Sequence, residues 1–190
     1  MKKGLLIVMS GPSGVGKGTV RDKILEDPSV NLTYSISMTT RKPRQGEIDG
    51  VHYYFVEKDY FENAIKNDEF LEYAQFVGNY YGTPKKKINE ILESGRNVLL
   101  EIEVQGAKQV MAKRPDAITI FMIPPSFEEL EKRIRGRRSE PEDIVAQRLS
   151  KAKGEMELKN NYKYVVVNDT VENASLAIID IINSVKDKQD

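Results

Sequence analysis

The stretch LLIVMSGPSGVGKGT, residues 5–19, constrains this chain more than any other. An apolar run leads into a loop with glycines at Gly11, Gly14, Gly16 and Gly18, followed by residues that favour a helix. Strand, glycine loop and helix in that order form the setting of a phosphate-binding loop. The glycines let the backbone turn sharply and aim successive N–H groups inward. The helix N-terminus adds partial positive charge, and Lys17 supplies a mobile cation for the terminal phosphates. Gly11 to Thr19, with Pro12, Ser13 and Val15 between the glycines, is therefore a candidate anion cradle. The usual form of this loop puts a hydroxyl beside the lysine to coordinate Mg²⁺. Here Gly18 stands in that place and the hydroxyl comes one residue later, at Thr19. The metal is thus expected to travel with the nucleotide's phosphates, with Thr19 contributing directly or through water.

Apolar strands alternate with helical patterns along the rest of the chain, as expected of an α/β protein with a parallel sheet covered on both faces. NVLLEIE, AITIFMIPP and YVVVND read as strands, and TVENASLAIIDIINSVK as a closing amphipathic helix. The region from about Thr33 to Thr83 interrupts the alternation. TYSISMT and VHYYFV read as strands flanking a polar loop, and Gly78-Asn79 as the turn of a hairpin. The expected organisation is one domain, with a core of residues 1–32, 84–125 and 150–190, an insertion at 33–83 and a lid at 126–149. A chain of 190 residues with 39% hydrophobic content can build such a core. Its 29 basic and 29 acidic residues balance, which gives no support for a nucleic-acid or membrane surface. There is no cysteine, so disulfides and thiolate chemistry are excluded. No apolar stretch is long enough to span a bilayer, and a cytoplasmic location is expected.

Three further groups carry chemistry. Arg41 and Arg44 flank Pro43 in a stiffened loop, and two guanidinium forks at that spacing can grip one phosphate, with Tyr53 adding a hydroxyl. Glu101 and Glu103 lie two apart at the end of an apolar strand, which points them to one face at the end of the sheet where open parallel sheets bind ligands. The basic cluster RIRGRRSEPED follows the strand AITIFMI. His52, the only histidine, cannot form a histidine metal cluster and is expected to be structural.

The segments GPSGVGKGT, SISMTTRKPRQGE, EFLEYAQFVGNYYGTP, LLEIEVQGA and IPPSFEELEKRIRGRR, in this order and spacing, resemble guanylate kinases from end to end. The resemblance implies a P-loop α/β core with a GMP-binding insertion and a helical lid. It also implies transfer of the γ-phosphate of ATP to GMP or dGMP, giving ADP and the nucleoside diphosphate. Residues 11–19 would hold ATP and its Mg²⁺. Arg41, Arg44, Tyr53 and Tyr81 would take the GMP phosphate, with Glu47 in the same stretch. Ser37, Glu72, Thr83 and Glu103 would surround guanine. Lys17, Arg133, Arg137 and Arg148 would act on the transferring group, and Glu101 would help hold the hydrated metal. A carboxylate suits guanine, which offers N1–H and an exocyclic amine, and opposes the bare acceptor at adenine N1. Strand alternation by itself would turn Glu72 outward; its role here is implied by the resemblance. The expected partners are nucleotides only, with the chain a monomer or homodimer.

Two alternatives stay open. GKGT also resembles adenylate kinase loops, although the Arg41–Glu47 stretch and the Glu72 hairpin favour GMP. Guanylate-kinase-like domains of scaffolding proteins bind peptides without turnover, but they typically lose the loop lysine and the lid arginines that this chain retains.

Overall fold

The computed structural model describes residues 2–136 and 141–188. Two sheets organise the chain. In the larger, β1 (Leu6–Ser10) is central. β7 (Asn97–Glu101) and then β2 (Leu32–Tyr34) lie on one side of it, and β8 (Ile118–Ile123) and then β9 (Tyr164–Val167) on the other. Every neighbouring pair is parallel. A parallel sheet must be buried on both faces, and the side chains of β1 divide accordingly. Ile7 and Met9 enter one core with α1 (Lys17–Leu25), α5 (Phe127–Arg135), α6 (Glu142–Met156) and α7 (Val171–Asp187). Leu6 and Val8 enter the other with α3 (Lys85–Glu93) and α4 (Val104–Lys113). Each fully buried apolar side chain, such as Ile7 or Leu99, contributes about 1.5–3 kcal/mol relative to exposure.

The second sheet runs in the order β4 (Tyr54–Phe55), β3 (Met38–Thr39), β6 (Asn79–Pro84), β5 (Phe70–Phe76). With α2 (Lys58–Lys66) it has its own small core of Phe61, Ala64 and Phe70. Phe61 stacks on Phe70 at 4.3 Å and on Tyr80 at 5.2 Å between ring centroids. The stacking needs Gly82, since a Cβ there would meet Phe70 at 2.9 Å and Phe61 at 3.0 Å.

Three sequence expectations shift. TYSISMT is two strands, because Tyr34 ends a run paired with β7 and Met38 starts one paired with β6. Residues 33 and 34, expected in the insertion, thus pair within the larger sheet. The hairpin turn is Val77-Gly78, one residue earlier than expected, because Phe76 pairs with Asn79. Both turn residues have positive φ (48° and 75°), the conformation of a type I′ turn. The helix after the basic cluster runs to Met156, past the expected lid boundary at 149.

Candidate functional site

The phosphate loop leaves β1 where the strand order reverses, with β7 and β8 on opposite sides. That is where open α/β sheets hold ligands. Gly14 and Gly16 have φ of 86° and 95°, and Gly16 caps α1 in the left-handed region. A side chain at Gly16 would strike Asn168 Nδ2 at 2.6 Å. Asn168 is buried just after β9 and donates to the Val15 carbonyl at 2.7 Å, which fixes the loop from beneath.

A cleft of about 350 Å³ opens over the loop, lined by Gly11, Ser13, Gly14, Gly16, Lys17, Gly18 and Thr19. Glu101, Ile102, Glu103, Lys151 and Glu155 complete its walls. Lys17 Nζ donates to the carbonyls of Gly11 (2.7 Å) and Pro12 (3.1 Å). Burial pushes its pKa below the ordinary lysine value, against the opposing pull of Glu101, Glu155 and Glu103. Pro12 and Val15 do not face this cleft: both are buried, and they act through their carbonyls.

The candidate cations separate. Arg148 donates to Ser13 Oγ at 3.0 Å, on the loop itself. Arg133 binds the carbonyls of Val15 (3.3 Å) and Asn168 (3.1 Å) and pairs with Glu129 (3.2 Å), so it ties α5 to the back of the loop. Arg137 lies outside the described residues.

A second cleft of about 370 Å³ lies against the small sheet, with Ser37, Tyr53, Glu72 and Tyr81 on its wall. Glu72 is 7% exposed and accepts a hydrogen bond from Thr83 Oγ1 at 2.6 Å. Its burial follows from an irregularity in β5. Phe70 pairs with Pro84 and Glu72 with Thr83, so the register slips at Leu71. Phe70 enters the small core, Leu71 the main core, and Glu72 the cleft. Gly106 makes room for it, because a Cβ there would lie 2.7 Å from Glu72 Oε2. Burial raises the pKa of Glu72, and the Thr83 hydrogen bond and Lys113 oppose the shift.

Behind the cleft, Arg41 sits 5.5 Å from the Tyr53 ring centroid. Glu47 grips both of its terminal nitrogens, at 3.0 and 2.8 Å. The same carboxylate accepts the Arg44 backbone N–H at 2.7 Å, and these donors hold its pKa down to about 2. Glu47 therefore positions the arginine loop. The Arg44 residue itself is exposed. His52, expected to be structural, accepts the Ile48 N–H on Nδ1 at 2.9 Å and also lines the second cleft.

Glu101, Ile102 and Glu103 line both clefts. Glu101 is fixed by Arg21 at 2.7 Å, and Glu103 pairs with Lys151 at 3.1 Å. Sequence reasoning missed Arg21, Asn168, Lys151 and Glu155. Asn168 carried a usable signal, its place at the carboxyl end of the last strand.

These features define an α/β protein with a phosphate-loop cleft and a second cleft meeting at a shared wall. Residues 3–185 match the family model described as guanylate kinase, and the chain belongs to that family. A protein named guanylate kinase from Mycoplasma mycoides subsp. mycoides SC is 55% identical over 183 residues, 96% of this chain and 62% of its own length. One from Mycoplasma capricolum subsp. capricolum is 54% identical, with the same coverage of 96% and 62%. The chain thus spans less than two thirds of the length of these curated relatives. The crystal structure of guanylate kinase from Anaplasma phagocytophilum has a TM-score of 0.74 and 35% identity, covering 97% of this chain and 87% of that one. The SH3-kinase fragment of tight junction protein 3 shares the fold alone, at 10% identity and a TM-score of 0.50, covering 96% of this chain and 57% of that one.

Proposed function

We propose that this chain transfers the γ-phosphate of ATP to GMP or dGMP, yielding ADP and GDP or dGDP. The observation that carries the reading is the shared wall: Glu101, Ile102 and Glu103 border both clefts, so a donor phosphate on the loop and an acceptor phosphate near Tyr53 would meet there. In this reading the core carries ATP, the insertion carries GMP, and α5 and α6 form the lid. Guanine lies against Glu72, whose carboxylate accepts from N1–H and the exocyclic amine while Thr83 and Ser37 complete the hydrogen bonding. Arg41, Arg44, Tyr53 and Tyr81 hold the GMP phosphate, with Glu47 keeping Arg41 in place. Lys17 and the lid arginines Arg137 and Arg148, joined by Arg133 once closure frees it from the Val15 and Asn168 carbonyls, neutralise the transferring oxygens and exclude water, which is most of what phosphoryl transfer asks of a protein.

Among the described residues, no group of three or more His, Cys, Asp or Glu is placed to hold a metal. Thr19 and Glu101 do offer hard oxygens on the cleft wall, which fits a Mg²⁺ carried by the nucleotide and reached through water. Bound there, the ion would supply positive charge to the phosphate oxygens. Among the described residues no helix is long and apolar enough to cross a membrane. The substrates proposed are cytoplasmic metabolites, and the reaction is assigned to that compartment. The peptide-binding alternative is disfavoured by Lys17 and Arg148, both hydrogen-bonded to loop residues.

The test is product identification. With ATP and GMP the purified chain should produce ADP and GDP in equal amounts. Lys17→Met should lower kcat on the order of 10²–10³-fold, the scale of one preorganised electrostatic contact, with Tm unchanged. A folded Lys17→Met variant with near-normal kcat would contradict the assignment.

A further inference from the structure

One face of α6 carries Arg148, Lys151 and Glu155, spaced three and then four residues apart so that they stack along the helix. All three reach the phosphate-loop region. Arg148 donates to Ser13 Oγ at 3.0 Å, and Lys151 and Glu155 line the cleft. The Glu155 side chain is 13% exposed. It shares the cleft wall with Ser13 and Lys17, and Lys151 is 3.7 Å away. A carboxylate thus shares the cleft with groups that a phosphate loop offers to an anion. The other carboxylates on the wall are more closely paired, Glu101 with Arg21 at 2.7 Å and Glu103 with Lys151 at 3.1 Å. Glu155 is the least exposed and the most loosely paired of the three.

We propose that Glu155 is a positioning residue whose charge opposes nucleotide phosphate in the cleft beside Ser13 and Lys17, and so sets how tightly the loop holds ATP and ADP. A phosphate entering the cradle meets a like charge at close range, and the carboxylate yields its place. Because Glu155 and Arg148 share one helix face, that exchange couples phosphate entry to the position of the guanidinium at Ser13. The same repulsion favours departure of ADP after transfer. This inference rests on reading the loop as the ATP site.

The test is calorimetric titration of wild type and Glu155→Gln with ATP and ADP, in Mg²⁺ and in EDTA, alongside GMP as a control. The amide keeps the size of the side chain and removes its charge. Both adenine nucleotides should bind about three- to tenfold more tightly, the effect of deleting one nearby like charge in a partly solvated site. GMP affinity should hold, and KM for ATP should fall in the same ratio. Loss of a purely structural contact would weaken binding or lower Tm and could not tighten it. Should the amide variant fail to fold, Glu155→Asp, which retracts the carboxylate by one methylene, is expected to shift affinity in the same direction. Unchanged or weaker binding by a folded variant overturns the inference and leaves the proposed function standing. Failure of the wild type to bind either adenine nucleotide overturns both.

Discussion

Glu72 shows how a single residue acquires a role through its surroundings. A buried carboxylate without an adjacent cation is costly unless donors reach it. The protein supplies one, the Thr83 hydroxyl at 2.6 Å, and guanine would supply two more. Burial favours the protonated form of Glu72, so its pKa stands above the ordinary glutamate value. For the free protein, that shift contributes stability on the acid side that is lost as pH rises through the raised pKa. The proposed GMP binding would run the other way, since it needs the ionised form. KM for GMP should therefore rise on acidification at a higher pH than an ordinary glutamate would produce, while KM for ATP stays flat there. A pH profile of both constants checks this, and parallel profiles would count against it. Little of the residue's setting was legible in the sequence. Alternation along FLEYAQF predicts an outward Glu72; the register slip at Leu71 overrides it. The residues of the loop were more legible, because glycine spacing reports backbone geometry directly. Glu155 was not, since nothing local to α6 indicates that its face meets the loop.

At the scale of elements, the alternation of apolar runs and helices located most strands and helices, because burial on both faces of a parallel sheet leaves an uninterrupted apolar signature. The insertion was harder to read. Its strands are short, two residues in β3 and β4, and its hairpin turns at Val77-Gly78, where a β-branched residue takes a conformation that sequence rules give to Asn or Gly. The start of α4 links element to site. Gly106 lies in its first turn, beneath the Glu72 carboxylate. Gly106→Ala should leave Tm unchanged or slightly raised, since alanine favours a helix by up to about 1 kcal/mol. Its methyl would displace the flexible end of Glu72 and raise KM for GMP roughly tenfold, the cost of about one strained hydrogen bond. Thermal melts and steady-state kinetics check both halves. A fall in Tm with KM unchanged would mean that the glycine serves packing rather than the cleft.

Across the whole molecule, the two clefts belong to different sheets and meet only at the ends of β7 and α4. Phosphoryl transfer between them requires water to be excluded along that seam. Binding of a bisubstrate analogue should therefore bring the insertion and the helices α5 and α6 together. Small-angle scattering should record a smaller radius of gyration, and an unchanged radius would count against closure. The proposed activity is phosphorylation of GMP, selected through Glu72. The most direct measurement is kcat/KM for GMP and for AMP at saturating ATP, in wild type and in Glu72→Gln. Wild type should strongly prefer GMP. The variant should lose about 2–4 kcal/mol in kcat/KM for GMP, because an amide turns one acceptor into a donor facing a donor. It should also narrow the gap to AMP, since the repulsion against adenine N1 is gone. A wild type that transfers no phosphate to GMP, or a GMP-to-AMP ratio unmoved by the substitution, would contradict the account.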